Sequence, residues 1–316
     1  MRCALLAAVL LTPICVAAQP GRHDPSQPGP WDSDVVVYLA SRDGRSERLA
    51  TFERAGVPTL ARLRDGRLIA AFQHFPQDDN RNFDRVAVRF SSDEGRSWSP
   101  AQPIVVEGME PGMARPFDPT LVPLPDGRIR LYFTSNRSPD FRRSPPAIHS
   151  AISSDGVRYA FEPGVRLNID GRLVIDCAVA LHNGVFHLIV PDNGTSEDMH
   201  RQQRNREPPR GGNGYHAVSR DGLVFERIGD VANPSGDHWL GNLLSDGGRL
   251  LFFGTGRGSW PLASHDGLSW RPDEPSFRIP GADPGAVRLR DGGWLLIVTG
   301  PPRPGTPSAS RGRGPR

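Results

Sequence analysis

The sequence predicts an all-β fold, a closed ring of five four-stranded blades or five-bladed β-propeller, and three observations predict it. Five hairpins share one pattern, five Ser-x-Asp turns alternate with them, and the order of the two patterns lets the chain ends complete a single blade.

The hairpins are VPTLARLRDGRLIAAF (57 to 72), DPTLVPLPDGRIRLYF (118 to 133), DCAVALHNGVFHLIV (176 to 190), WLGNLLSDGGRLLFFG (239 to 254) and DPGAVRLRDGGWLLIV (283 to 298). In each, an apolar, β-rich run reaches a turn that contains glycine and returns as a second such run. The alternating segments end in SRDGRS (41 to 46), SSDEGRSW (91 to 98), SSDGVRY (153 to 159), SRDGLVF (219 to 225) and SHDGLSW (264 to 270). There the aspartate carboxylate can accept backbone N–H bonds, glycine supplies the positive φ, and the aromatic that follows can pack between sheets. The turn aspartates Asp43, Asp93, Asp155, Asp221 and Asp266 are 50, 62, 66 and 45 residues apart, which suits four-stranded blades with loops of varying length.

The chain opens on a Ser-x-Asp pair, Val35 to Phe52, and closes on a hairpin, Asp283 to Thr299. Joined, the two form one blade, and closing the ring removes exposed sheet edges. The propeller is therefore expected over residues 34–300, preceded by a linker at 19–33 and followed by a disordered Pro, Gly, Ser and Arg tail at 301–316. Residues 1–18 carry Arg2, an apolar run and a small-residue end, the layout of a secretory signal cleaved after Ala18. A secreted or periplasmic protein is expected. Pro13 and the short apolar run argue against a membrane span.

Only Cys177 remains beyond the signal, so no internal disulfide is expected. Of the formal charge of +3, Arg2 supplies one and Arg303, Arg311, Arg313 and Arg316 supply four, which leaves −2 for residues 19–300. That balance argues against a nucleic-acid partner. Phosphate-loop, dinucleotide and zinc-hydrolase motifs are absent, and no cofactor or metal is expected. A hard cation held by axial oxygens ranks below the other readings of the site. The chain is expected to be a monomer.

Both kinds of Asp-Gly turn fall on one face of the ring, and the long segments 73–85, 105–117, 134–148 and 191–214 fall on the other. Where first strands begin beside the axis, the sequence places Val57, Asp118, Asp176, Asp237-His238 and Asp283. Converging carboxylates repel, which raises the pKa of one and keeps a proton donor beside a carboxylate base or nucleophile. The catalytic candidates are Asp118, Asp176, Asp283 and Glu110; the substrate-binding candidates are Arg115, His74, Asp192, Tyr215 and His238. For each aspartate the competing role is a cap on the incoming loop.

SSDEGRSW fits the aspartate box of the sialidase superfamily, and VPTLARLRDGRLIAAF resembles the first blade of those enzymes. The resemblance implies a propeller, with the boxes on the face away from any active site. It departs from sialidases where Gly56 stands in place of their first arginine and where five blades replace six. Five blades with axial aspartates look more like the arabinanase and xylosidase group or the fructan-processing group, whose carboxylates begin strands as Asp118 does in Asp-Pro-Thr-Leu; their blade-one aspartate falls at Val57. The expectation is a glycan-active propeller, a glycoside hydrolase acting on a glycan or glycoside substrate. The alternative is a non-catalytic propeller that binds carbohydrate or protein.

Overall fold

The computed structural model describes residues 30–205, 212–255, 260–277 and 279–303. The expected signal at 1–18, the linker up to residue 29 and the tail from 304 lie outside the described residues.

The five sheets are the five expected blades. Blade one runs outward from the axis as Ala55–Arg62, Leu68–His74, Arg85–Ser91 and Gln102–Pro103. Blade two comprises Phe117–Pro123, Ile129–Ser135, Ala147–Ser153 and Arg158–Leu167, and gains a fifth strand, Val105–Glu107, which lies parallel to its outer edge with Val105 opposite Arg158. Blades three (Ala178–His182, Val185–Pro191, Asn213–Ser219, Glu226–Ala232) and four (Gly241–Asp246, Arg249–Gly254, Trp260–Ser264, Arg271–Phe277) follow. In blade five, the inner strands Ala282–Arg288 and Trp294–Thr299 come from the end of the chain, and Val35–Ala40 and Ser46–Phe52 from its start. Val35 pairs with Thr299 and Ala40 with Trp294, all antiparallel.

The core lies between neighbouring blades. Phe52 and Phe72 meet with ring centroids 5.3 Å apart where blade five faces blade one, Phe253 and Trp294 at 5.1 Å where four faces five, and Trp239 and Phe252 at 4.7 Å where three faces four. Each such ring contributes ~1.5–3 kcal/mol on burial.

The Ser-x-Asp turns are built as their chemistry requires. Asp155 Oδ1 accepts from Val157 N and Arg158 N, both at 2.8 Å, and Asp266 Oδ1 accepts from Leu268 N and Ser269 N at the same distance. Such bonds hold the carboxyls of Asp221 and Asp266 down at about 2, and the Ser97 hydroxyl followed by the Ser97 amide does the same for Asp93. The aromatic does pack between sheets: Trp98 Nε1 donates to Gly95 O at 2.9 Å while its ring lies edge-on to Phe52.

Glycine is needed at these turns twice over. At Gly156 φ is +78°, and a Cβ there would lie 2.7 Å from Ile69 of the preceding blade; at Gly95 φ is +87°, and a Cβ would meet Leu295 at 2.4 Å. The turn of one blade is seated directly on the side chains of the one before.

The long segment 191–214 contains a helix, Ser196–Asn205. Thr195 and Asp198 cap it reciprocally, with Asp198 N donating to Thr195 Oγ1 at 3.1 Å and Thr195 N to Asp198 Oδ2 at 3.0 Å. Among the described residues, no helix is long and apolar enough to cross a membrane. Cys177 is a buried free thiol.

Candidate active site at the propeller axis

The first strands of the blades contact one another in ring order around the axis. At their upper ends Val57, Asp118, Asp176 and Asp283 share one backbone conformation, with φ of +49°, +50°, +60° and +49°. A left-handed turn of a residue other than glycine costs ~1–2 kcal/mol, and a residue before proline favours extended backbone. Three of the four nevertheless precede prolines, Pro58, Pro119 and Pro284, inside register shifts between Gly56 and Thr59, Phe117 and Thr120, and Ala282 and Gly285. The conformation is held against local preference, as bulges beside functional sites often are.

Threonine hydroxyls at the ends of second strands hold it. Val57 N donates to Thr299 Oγ1 at 2.9 Å, Asp176 N to Thr134 Oγ1 at 3.3 Å and Asp283 N to Thr255 Oγ1 at 2.7 Å. Thr299 also donates to Asp283 Oδ2 at 3.3 Å, so one hydroxyl links blade one's backbone to blade five's carboxyl. Nothing in the linear sequence marks these threonines as partners of the aspartates.

Asp118, Asp176 and Asp283 therefore line one pocket, together with Val57, Thr120, Leu240 and Asn242. Below it the axis is filled: Asn242 Nδ2 donates to Thr59 Oγ1 at 3.0 Å across the ring, and Thr120 Oγ1 donates to Cys177 O. Gly285 must be glycine there, because a Cβ would lie 3.0 Å from Leu60 N. The cavity is about 20 Å³, room for a water or a hydroxyl rather than a sugar ring.

Burial first, and then the charge of Asp118, raises the Asp283 carboxyl to about 6. Burial likewise raises the Cys177 thiol, to which Asp176 and Asp118 add. The pocket thus holds one carboxyl that is partly protonated near neutral pH beside two more from other blades.

Blade four departs from the expected register. Leu240, not Asp237-His238, lines the pocket, and Gly241 follows because a Cβ there would lie 1.9 Å from Phe253 O. The Asn233–Gly236 turn takes up the residues before His238, with Gly236 N donating to Asn233 O at 2.9 Å. That turn displaces the acidic residue from the strand start.

The other candidates lie apart from the axial pocket. Glu110 is on an exposed loop, paired with Arg137. His74 packs edge-on to Phe72, and its buried Nδ1 has no partner among the described residues. Asp192 accepts from Gly194 N at 2.9 Å and from the Tyr215 hydroxyl; burial and this bond push the tyrosine up to about 12. Both ring nitrogens of His238 are buried without a partner among the described residues, and Asp192 acts on the ring electrostatically. Asp192, Tyr215 and His238 thus form a second polar group where blade three faces blade four. Arg115 lines a different cavity, with Arg85.

Sequence reasoning missed the helix, though Thr195-x-x-Asp198 is a legible cap signal. It also missed the buried hydrogen bond between His187 Nδ1 and His216 Nε2, 3.0 Å long, which joins residues of neighbouring strands.

No family model matches the sequence, and no curated protein matches it. Solved structures do resemble the fold. A Bombyx mori GH32 β-fructofuranosidase has a TM-score of 0.52 at 15% identity over 76% of this chain; the chain spans about half, 54%, of that enzyme's length. A family 117 glycoside hydrolase from the marine bacterium Zobellia galactanivorans has a TM-score of 0.52 at 12% identity, over 86% of this chain and 92% of that one. An N-acetylgalactosamine deacetylase from F. plautii has 0.53 at 13% identity, over 84% and 85%. At these identities the likeness is one of fold, and it places propeller glycoside hydrolases among the structural neighbours of this chain.

Proposed function

We propose that the chain is a secreted or periplasmic glycan-active propeller that hydrolyses a glycosidic bond at the mouth of the axial pocket. The observation that carries the reading is the meeting of Asp118, Asp176 and Asp283, from three blades, in one blind pocket where Asp283 is held at about 6. Asp283, protonated, donates to the leaving-group oxygen. Asp118 or Asp176, ionised, attacks the anomeric carbon or takes a proton from the attacking water. The sugar ring rests above the narrow floor, toward the loops that end at Phe117 and Ala178. The propeller glycosidases among the neighbouring structures support a glycan as substrate.

A second reading, a propeller that binds glycan without cleaving it, is favoured by two observations: the axial position of blade one is Val57, and the cavity below it is small.

A panel of aryl glycosides and of plant and animal polysaccharides, tested with wild type and with Asp118→Asn, Asp176→Asn and Asp283→Asn, separates the two. Turnover lost by ~10²–10⁴-fold in Asp283→Asn supports hydrolysis. Activity unchanged in all three variants would sink the site, and binding without turnover on any substrate favours the second reading.

A further inference from the structure

Outside the axial pocket, the described residues enclose a larger cavity of about 170 Å³ on the seam between blades one and two. Its apolar wall is Val86, Ile104, Val106 and Met109, and two guanidinium groups, Arg85 and Arg115, stand at it. Among the described residues several arginines at strand ends are matched with an acid, as Arg62 is with Glu94 at 2.7 Å and Arg249 with Asp273 at 2.8 Å. Arg85 and Arg115 are not: among the described residues neither makes an ion pair. Arg85 Nε is buried with no partner, and Arg115 Nη1 reaches only the carbonyl of Arg81, at 3.4 Å.

The two cations also face each other closely enough that Arg115 joins burial in lowering the Arg85 pKa. Asp79 acts on Arg85 from a distance, but its own carboxylate is occupied by Asn82 and by the amide of Arg81. Two like charges beside an apolar wall are an unfavourable arrangement for an empty surface and a favourable one for an anion between them, since guanidinium groups bind planar oxyanions in a forked geometry.

We infer that this cavity is a subsite for one oxyanion substituent, a carboxylate or a sulfate ester, carried on a sugar whose less polar face lies against Val86, Val106 and Met109. At about 170 Å³ it is well below the ~300 Å³ of a site for a drug-sized ligand, so a single small group is what it takes. Arg115 precedes Asp118 by three residues, a chain reach of about 11 Å at most, so a charged sugar held here belongs to the same glycan that approaches the axis. That last step rests on the proposed function; the anion subsite itself does not.

The test is direct binding, measured by titration calorimetry without turnover. The probes are glucuronate and glucose 6-sulfate, with glucose, acetate and inorganic sulfate as controls. At least one charged sugar should bind wild type, more weakly as salt rises, and should lose about tenfold or more in affinity in Arg85→Gln and in Arg115→Gln. The tighter of the two names the substituent. Asp118→Asn should bind at least as tightly as wild type, and Met109→Trp, which fills the cavity from an exposed loop without touching charge, should not bind. No binding of either charged sugar would overturn the inference. So would binding that survives both arginine variants, acetate or sulfate binding as tightly as the charged sugars, or binding abolished in Asp118→Asn, which would move the ligand to the axis.

Discussion

The buried pair His187 and His216 gives the most direct test of how this ring responds to acid. Their rings stack with centroids 5.2 Å apart and are joined by the 3.0 Å hydrogen bond, so at least one nitrogen must stay unprotonated to accept it. Around them stand His182, 6.1 Å from His187 and bonded to Ser245, together with His265 acting on His182 and Asp266 acting on His216. Burial, and then its neighbour's charge, drives each of the pair from 6.5 down to about 4. The unfolded chain therefore takes up the protons first. The stability these groups lend is complete above about 6.5 and is lost as pH falls toward about 4.

At ~1.4 kcal/mol for each pH unit, His216 alone accounts for ~2–3 kcal/mol of that loss, once the share belonging to the coupled pair is set aside. Two other groups must be kept apart from it. The turn carboxylates at about 2 lose their contribution only below the ordinary aspartate value of 3.8, outside this window. Asp283, raised to about 6, works in the opposite sense: folded, it holds a proton between 3.8 and 6, so acid favours the fold through this group.

The comparison that isolates the histidine is His216→Gln against wild type, by urea unfolding at about pH 7.5 and about pH 4.5. Wild type should lose ~2–3 kcal/mol more than the variant between the two conditions, because Asp283 and the remaining groups cancel in the difference. An equal loss in both proteins would refute the assignment, whatever the variant's stability at neutral pH.

Under the proposed hydrolysis, turnover should fall as pH rises through about 6, where Asp283 gives up its proton. In Asp118→Asn that alkaline limb should move to lower pH in whatever activity remains, since a charge that raises the Asp283 pKa has gone. Val57→Asn should raise the melting temperature and add ~1 kcal/mol of stability, because asparagine tolerates the left-handed backbone better than a β-branched residue. Gly184→Ala, with φ +78° and open space, should cost ~1–2 kcal/mol in urea unfolding, and Gly156→Ala should cost more, ~2–4 kcal/mol, because its Cβ would also meet Ile69.

The ring was legible because each blade writes its own turn chemistry locally: Ser153, Asp155 and Gly156 are neighbours in sequence and partners in space. The axial aspartates were legible for a related reason, since Asp118 and Asp283 each stand nine residues before the turn glycine of their hairpin. Blade four was not, because its axial residue is Leu240 and the Asn233–Gly236 turn sets Asp237-His238 back from the strand start. The threonine hydroxyls that hold the aspartates, the histidine pair and the Arg85–Arg115 cavity join residues tens of positions apart or in adjoining strands, and only strand pairing brings them together. The parallel strand Val105–Glu107 was hidden by its length of three residues, too short for an alternating pattern.

The pairing of Val35–Ala40 with Trp294–Thr299 gives the molecule a clasp, and a clasp has an order of events. As the polypeptide leaves the ribosome, the opening segment waits for a mate that is made after the other four blades, so these can assemble while the fifth stays unfastened with its backbone amides open to other chains. Shortening the end by a single strand would leave Val35–Ala40 without its inward neighbour and remove the sheet that backs Gly95 through Leu295. Joining the two termini with a short linker and cutting instead between Asn233 and Gly236 would turn the clasp into an ordinary hairpin, and should speed the final step of folding while leaving the axial carboxylates where they are.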